Sequence, residues 1–444
     1  MIALHIKKHL SHDALVGDYA ARVSEILDHR RTNSNTYEVK DVMLSALACM
    51  YMQSSSLNSF QANLEIKAHR NNLISMFQVK STPKATAMKE FIDEINPNEL
   101  TPLFKQYITK LQRNHFLKDY QLIDGKYLVA LDGTQYFSSK KISCPCCLQK
   151  EHKNGSVTYS HQALQAAILS PNKKQVLPLM PEDISNEDGV EKQDCEINAA
   201  KRLVLKIRKA HPRMPMVWLA DSLYASAPFI ELIQSNPKDS FILRAEENDH
   251  KKLYSTIETM EPHKYQETIN KGKETLYYRW YNNVGLNGST DIEVNVLRVY
   301  STKTDRYGKQ SSTIVGLWVT DLSITTSNVS DIAKAARSRW MVENECFNTL
   351  KNTGYAIEHS YGHGQKNLAF NFYMLILLAF TLHQIQELTE HLFKQARSYC
   401  STRKRFWADL LFMFNKMLFD SWYHMMETAV KMMDPNYEGL SPPI

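Results

Sequence analysis

Hydrophobic and polar residues follow three successive patterns along the chain. Apolar residues at helical spacing dominate residues 1–118 and predict a helical region there. Between residues 119 and 244, short apolar runs alternate with amphipathic stretches, which predicts a mixed sheet covered by helices. Residues 245–325 are rich in β-branched and aromatic residues between glycines, and they predict strands. From residue 326 onward the helical spacing returns and continues almost to the end.

Two aspartates stand out because of the segments that present them. Asp132 and Asp221 each follow directly on a five-residue apolar run. Short buried strands that end in a carboxylate bring a charge to the edge of a sheet, where ligands commonly collect. Gly133 follows the first acid and predicts that the strand turns there, with 134–142 returning as its antiparallel partner. An unpaired charge at the edge of a core is costly, so we expect a cation nearby.

The third acid lies on a segment with helical spacing, where Glu343 and Glu345 compete. Trp340, Phe347 and Leu350 belong to an apolar stripe of this helix. Glu343 falls within that stripe. Glu345 is roughly 200° further round at about 100° per residue, on the polar side. An acid in an apolar stripe needs a partner, so Glu343 is the predicted site residue. Arg339, one turn earlier, is predicted to pair with Glu343 or to contact a phosphate.

Together, Asp132, Asp221 and Glu343 would form a set of hard oxygen ligands of the kind that holds Mg²⁺. This interpretation requires the two strands and the helix to converge in space, which spacing along the chain does not establish. The alternative is that all three are ordinary strand-end, turn and helix acids.

A second cluster of metal-ligand residues follows the first acid. Cys144 and Cys147 have the two-residue gap that is typical of zinc sites, and Cys146 could substitute for either. His152 and His161 come next and would complete a structural Zn²⁺ site. The alternative is a hairpin loop with reduced cysteines.

Composition narrows the class of protein. The hydrophobic fraction of 43% and charged fraction of 23% are ordinary for a soluble globular protein. A net charge of +6 permits a nucleic-acid partner without establishing one. The longest apolar stretch, 372–382, is short for a membrane span and is interpreted as a core helix. The N-terminus lacks a signal-peptide pattern and the seven cysteines do not suggest a secreted disulfide scaffold, so we predict a cytoplasmic protein with no membrane partner.

At the three acids the chain resembles the DDE transposases of bacterial insertion sequences, in particular the cut-and-paste group called insertion-sequence family four. The matching pieces are 131–134 (LDGT), 220–224 (ADSLY) and 339–344 (RWMVEN). The resemblance covers roughly residues 80–385 and includes the long β-rich stretch between the second and third acids.

The chain also departs from the pattern of that group. The group has a Tyr three residues before the Arg and a Lys seven residues after the Glu. Arg339 matches, whereas Ala336 and Leu350 stand at the Tyr and Lys positions. Lys351 comes one residue late, about 80° from Glu343 in a regular helix. These departures suggest a divergent branch of the group.

The resemblance implies an α/β fold with a ribonuclease-H-like mixed sheet core, an all-β insertion, and N- and C-terminal helical regions. Residues 1–118 would be the N-terminal helical region, either a DNA-end-binding bundle or a helical lid. The core would begin at 119–244, be interrupted by the β-rich insertion at 245–325, and be completed by the catalytic helix at 326–360. A C-terminal helical region would occupy 361–444.

The resemblance further implies a DNA transposase that cleaves transposon ends and joins them to target DNA. Asp132, Asp221 and Glu343 would hold two Mg²⁺ or Mn²⁺ ions, and Arg339 and Lys351 would contact DNA. The implied partner is double-stranded DNA, as transposon end and as target, and a homodimer would pair two ends. The alternatives are a domesticated DNA-binding protein that no longer cuts, and a metal-dependent nuclease without strand transfer.

Two tryptophans in the insertion are candidates for stacking on DNA bases. In related transposases an aromatic residue near Trp318 stacks on a base flipped from the DNA end. Trp280 lies in a run of aromatic and basic residues that suits single-strand stacking. For each, the alternative is an ordinary position in a strand or core.

Overall fold

The computed structural model describes most of the chain as helices and strands. The described residues are 8–30, 36–185, 195–270, 274–286, 292–305, 308–358 and 361–436. The helices are α1 (His12–Val23), α2 (Val39–Tyr51), α3 (Leu57–Ala62), α4 (Lys67–Phe77), α5 (Ala85–Glu94), α6 (Thr101–Arg113), α7 (Glu196–Ala210), α8 (Ala227–Gln234), α9 (Lys251–Thr259), α10 (Val329–Ser338), α11 (Asn348–Asn352), α12 (Leu368–Thr389), α13 (His391–Ser398), α14 (Arg403–Lys416) and α15 (Trp422–Met433). The strands are β1 (Gln121–Ile123), β2 (Lys126–Ser139), β3 (Leu148–Glu151), β4 (Val157–Leu169), β5 (Leu177–Pro178), β6 (Glu182–Ile184), β7 (Met216–Ala220), β8 (Asp239–Arg244), β9 (His263–Ile269), β10 (Glu274–Gly285), β11 (Glu293–Thr304) and β12 (Gln310–Thr320).

All of these strands belong to one mixed sheet. Its main path has the order β3-β4-β2-β7-β8-β12-β11-β10-β9, with β1, β5 and β6 pairing beside it. β2, β7 and β8 run parallel to one another, and the other pairs are antiparallel. The central β7 is buried along its whole length because helices cover the sheet, which explains its continuous apolar run. The predicted α/β fold with a ribonuclease-H-like mixed sheet is confirmed.

The β-rich insertion extends the core sheet. β12 pairs antiparallel with the core strand β8, with Trp318 opposite Arg244. β11, β10 and β9 then continue the sheet outward. Hydrogen bonding to β12 thereby covers the edge that β8 would otherwise expose. The insertion also contains helix α9, so the implied all-β composition of 245–325 is wrong in this detail.

The turn predicted after Asp132 is wrong. β2 runs without a break from Lys126 to Ser139 and pairs with β4 on both sides of the acid. Gly133 stays in the ladder opposite Leu164. The predicted return strand 134–142 is therefore largely the second half of β2. A glycine in a strand is compatible with the ladder when another group approaches it closely, and such a group is present at Gly133.

The helical regions that precede and follow the sheet in sequence share a core built around α12. By length and composition α12 could cross a membrane, yet 89% of its most apolar window is buried inside the protein, as predicted for a core helix. It packs against α2 and α5 from the N-terminal region and against α13. The Tyr51 hydroxyl donates to Gln386 Oε1 at 2.6 Å, and the His12 ring stacks on Trp422. The two helical regions that flank the core in sequence thus pack together.

Candidate active site

The parallel pairing of β2 and β7 brings two of the acids to the same level. Ala130 lies opposite Leu219, so two residues further along Asp132 falls beside Asp221. Neighbouring strands are about 4.8 Å apart. β7 ends just before Asp221, whose Oδ1 accepts a hydrogen bond from the Leu223 N–H at 3.0 Å and caps a short 3₁₀ turn. The second acid is thus held by its own turn at the end of a buried strand.

Glu343 lies on a π-helical turn, Val342–Phe347, between α10 and α11. The N–H of Asn348 donates to the Glu343 carbonyl, which is the i→i+5 bond of a π turn. The turn packs against β2, and the Glu343 carboxylate acts electrostatically on Asp132. Single π turns inside α-helices occur frequently at functional sites. The three acids predicted from the sequence therefore come together in the fold.

The sequence argument for Glu343 over Glu345 was partly wrong. Glu343 is exposed, and Trp340, on the same predicted stripe, is 50% exposed. The π turn adds a residue to the helix and so shifts the phase on which the stripe was based. Glu345 is not left to solvent, because it pairs with Arg403 on α14 at 3.6 Å. The pairing occupies Glu345 and leaves Glu343 as the acid that faces β2.

Asp132 carries the strongest electrostatic signature of the site. Its side chain is 19% exposed, and burial raises its pKa from 3.8 to about 6. This pKa also includes the charge of Arg339, which lowers it, and the charges of Asp221, Glu196 and Glu343, which raise it. A carboxyl group that is both desolvated and close to other carboxylates has too little positive charge nearby to stabilise its ionised form. This is the electrostatic setting in which a divalent cation would bind.

Arg339 pairs with Asp132 rather than with Glu343. Its Nη1 lies 3.3 Å from Asp132 Oδ2, and both side chains are partly buried. The predicted pairing with Glu343 is therefore wrong, because the end of α10 aims the guanidinium across at β2. Arg339 remains close enough to the acids to meet a phosphate bound there.

Glu196 is a fourth acid of this site, and the sequence argument did not single it out. It lies in the first turn of α7, and its Oε1 accepts a hydrogen bond from the Tyr224 hydroxyl at 2.6 Å. A Cβ at position 133 would lie 2.7 Å from Glu196 Oε2, so any other residue there would push this carboxylate aside. The sequence signal was the glycine directly after Asp132, which marked a close approach and was interpreted as a turn.

The four carboxylates suit a divalent metal by chemistry and charge, since hard cations prefer such oxygen ligands. Asp132 and Asp221 would supply two ligands from neighbouring strands, and Glu343 would supply a third from the π turn. Among the described residues these carboxylates do not close to within 4.8 Å of one another as a group. The guanidinium of Arg339 lies beside Asp132 instead, and it offsets part of the negative charge of that carboxylate.

Lys351 lies on α11 and pairs with Glu358 at 3.0 Å. Leu350, which stands at the position where the group pattern has a lysine, is fully buried. A π turn contains one residue more than an α turn. The eight residue steps from Glu343 to Lys351 therefore rotate about the helix axis by roughly the same angle as seven steps of an uninterrupted α-helix. The one-residue delay noted in the sequence is offset by the π turn.

Neither tryptophan proposed for base stacking is accessible. Trp280 is 3% and Trp318 is 6% exposed, so a DNA base cannot stack on either ring in this fold. Both point to the packed face of the extended sheet, which is the core alternative. On the opposite face Tyr277 is 39% exposed, and the Arg279 guanidinium lies 5.2 Å from the Tyr300 ring centre.

The structure replaces one member of the predicted cysteine and histidine site. Cys144, Cys147, His161 and His363 have ligand atoms that all lie within 4.8 Å of one another. His152 is not among them, because it sits in the β3–β4 hairpin with its Nε2 2.8 Å from Thr158 Oγ1. His363 was missed because it is 216 residues from Cys147 and no spacing rule links them.

The central part of the chain is similar to a known protein family. Residues 191–382 match the family model described as transposase DDE domain. No curated protein matches the chain. The matched segment contains Asp221 and Glu343, and the pairing of β2 with β7 adds Asp132, which precedes it. Over residues 191–382 the chain is therefore similar to the DDE domain of transposases, and the arrangement of the three acids agrees with this similarity.

Proposed function

We propose that this chain is a DNA transposase that cleaves transposon ends and joins them to target DNA. The observation that supports this most strongly is the convergence of Asp132, Asp221 and Glu343 where β2 passes the end of β7, together with the DDE-domain match over 191–382. We further propose the insertion-sequence family four group, on the motif around Arg339. Action in the cytoplasm and at the nucleoid would follow from this function.

In this proposal Asp132, Asp221 and Glu343 hold two Mg²⁺ or Mn²⁺ ions. When bound, such ions stabilise the charge on the attacking and leaving oxygens of a phosphodiester. Arg339, which pairs with Asp132, would also contact a phosphate oxygen and neutralise its charge. Glu196, fixed by Tyr224, would keep the acids apart and orient water or metal from the far side of Gly133. The same site could then use a DNA 3′ hydroxyl as nucleophile.

Double-stranded DNA is the proposed partner, and a homodimer would pair the two transposon ends. Residues 1–118 would contribute to binding the ends. We expect purified protein with Mg²⁺ to nick DNA at the inverted repeats that flank its own coding region, and to join the cut ends to a target plasmid. Gel analysis of cut and joined products tests this. The matched control is DNA with scrambled repeats.

The two alternatives predict different products in that assay. A domesticated protein would bind the repeats without cutting them. A nuclease without strand transfer would cut but yield no joined products. Absence of cutting at any flanking repeat would refute the proposal itself.

We also propose that Lys351 contacts a DNA phosphate near Glu343, since the π turn restores its position on the helix. Lys351→Ala should slow end cleavage by roughly tenfold to a hundredfold, the loss of one charge-assisted hydrogen bond of about 1.5–3 kcal/mol. We expect Lys351→Arg to recover cleavage. The defect of Lys351→Ala should be largest at low salt, because losing a phosphate contact makes DNA binding less dependent on salt. Cleavage rates across a salt series provide the measurement.

Lys334→Ala is the matched control for this variant. Lys334 is exposed on α10 and pairs with Asp331 at 3.3 Å, in the same way that Lys351 pairs with Glu358. Equal rates for the two alanine variants would show that Lys351 has no special role at the site.

A further inference from the structure

The cluster of Cys144, Cys147, His161 and His363 has the dimensions of an occupied tetrahedral site. Zn–S bonds of about 2.3 Å and Zn–N bonds of about 2.0–2.1 Å place two sulfurs about 3.8 Å apart, and a sulfur and a nitrogen about 3.6 Å apart. The Cys144 and Cys147 sulfurs are 3.8 Å apart. The sulfur-to-nitrogen distances are 3.4 and 3.6 Å to His161 and 3.5 Å from Cys147 to His363.

Local backbone geometry supports a zinc knuckle at the cysteines. The Cys147 N–H donates to the Cys144 carbonyl at 3.1 Å, which closes a tight turn, and the Cys144 N–H donates to the Cys147 sulfur. Such N–H···S bonds stabilise thiolates, which are the form that binds metal.

Charge balance also fits a divalent metal. Two thiolates cancel the charge of one Zn²⁺, so the occupied cluster would be neutral, which suits a largely buried location. Cys147 is buried and His161 is 3% exposed.

We infer that these four residues form a structural zinc site that fastens the segment before α12 to the strand pair β2–β4. Cys144 and Cys147 follow β2, and His161 lies on β4 opposite Phe137 of β2. His363 comes from the connection between α11 and α12, and its ring lies 4.5 Å from that of Phe137. The inference does not depend on the proposed transposase activity.

A second contact holds the same segment and shows why a clamp there would matter. The Asp93 carboxylate accepts hydrogen bonds from the backbone N–H groups of residues 365–368 at 2.9–3.0 Å. This contact fixes the start of α12 to α5. The zinc site would fix the other end of the segment to the sheet strand that carries Asp132. The chain leaving the Glu343 helix would then be anchored to the strand that carries the first acid.

Zinc content of the purified full-length protein tests the inference. We expect about one zinc per chain in the wild type, little in His363→Ala, and an unchanged content in the matched control His152→Ala. Elemental analysis after gel filtration provides the measurement. Loss of zinc in His152→Ala but not in His363→Ala, or a wild type without zinc after expression with added zinc, would overturn the inference.

Thiol mapping on the wild type keeps the test decisive if His363→Ala does not fold. A strong chelator should make Cys144 reactive toward an alkylating reagent and raise amide hydrogen exchange in 361–367. The buried Cys49 and Cys346 should stay protected, which shows that the protein has not unfolded. Equal labelling of Cys144 before and after chelation, or an intact mass that reveals a Cys144–Cys147 disulfide, would contradict the zinc site.

Discussion

Asp132→Asn should reduce end cleavage by at least about a thousandfold, because it removes a ligand whose loss costs several kcal/mol of transition-state stabilisation. Asp221→Asn and Glu343→Gln should have similar effects. DNA binding should be largely retained, since these acids are proposed metal ligands and the proposed DNA contacts come from other residues. The measurements are the single-turnover cleavage rate in Mg²⁺ and the affinity for the DNA ends.

Glu345→Gln is the matched control on the catalytic helix. Glu345 lies two residues from Glu343 and pairs with Arg403, so its replacement changes local charge equally. We expect it to keep most of the cleavage activity. Normal cleavage by Glu343→Gln, or equal losses in the two glutamine variants, would remove Glu343 from the proposed site.

The free energy of unfolding of the metal-free protein should depend on pH through the ionisation of Asp132. The folded-state pKa of about 6 lies above the unfolded value of 3.8. The native state therefore binds more protons than the unfolded state between these pH values, and stability falls as pH rises through this window. The contribution of this group is fully present below pH 3.8 and lost above about pH 6. Its size is about 3 kcal/mol for about two pKa units.

Asp132→Asn lacks this titration and isolates it from the other acids. We expect its free energy of unfolding to gain on the wild type by about 2.4 kcal/mol between pH 4 and pH 7 in the presence of a chelator. Denaturant titrations of both proteins across this range provide the measurement. A difference that does not change with pH would contradict the electrostatic account of Asp132.

Added Mg²⁺ should reverse the effect, because a cation favours the charged carboxylate. At pH 7.5 the wild type should gain stability with Mg²⁺, and the gain should shrink as pH falls below about 6. Asp132→Asn should gain little at either pH. An equal gain in both proteins would place the bound Mg²⁺ elsewhere.

The sequence was sufficient where a local pattern had a single physical meaning. The apolar run 216–220 forms β7 with the predicted ends, because a short run that is apolar throughout fits a strand buried on both faces. The strands of the insertion were likewise recognisable from β-branched and aromatic residues. The same patterns singled out Asp132, Asp221 and Glu343 as an acidic set, and their role as metal ligands remains a prediction.

Local patterns failed where the role of a residue depends on a contact with a residue that is distant in sequence. Gly133 predicted a turn, whereas in the fold it lies within a strand and the Glu196 carboxylate occupies the space beside it. The choice of His152 followed from spacing, whereas His363 reaches the cysteines through the path of the chain before α12. Trp280 and Trp318 were equally compatible with stacking and with burial, and the packing of the sheet decided for burial.

By itself the sequence determined which residues can carry charge and metal-binding chemistry, and which stretches form strands and helices, because these follow from side-chain type and periodicity. Only the tertiary structure decided which of them meet. The parallel register of β2 and β7 sets Asp132 beside Asp221, and the π turn turns Glu343 toward β2. Strand order and helix phase are set by packing across the whole core, so no local stretch of sequence encodes them.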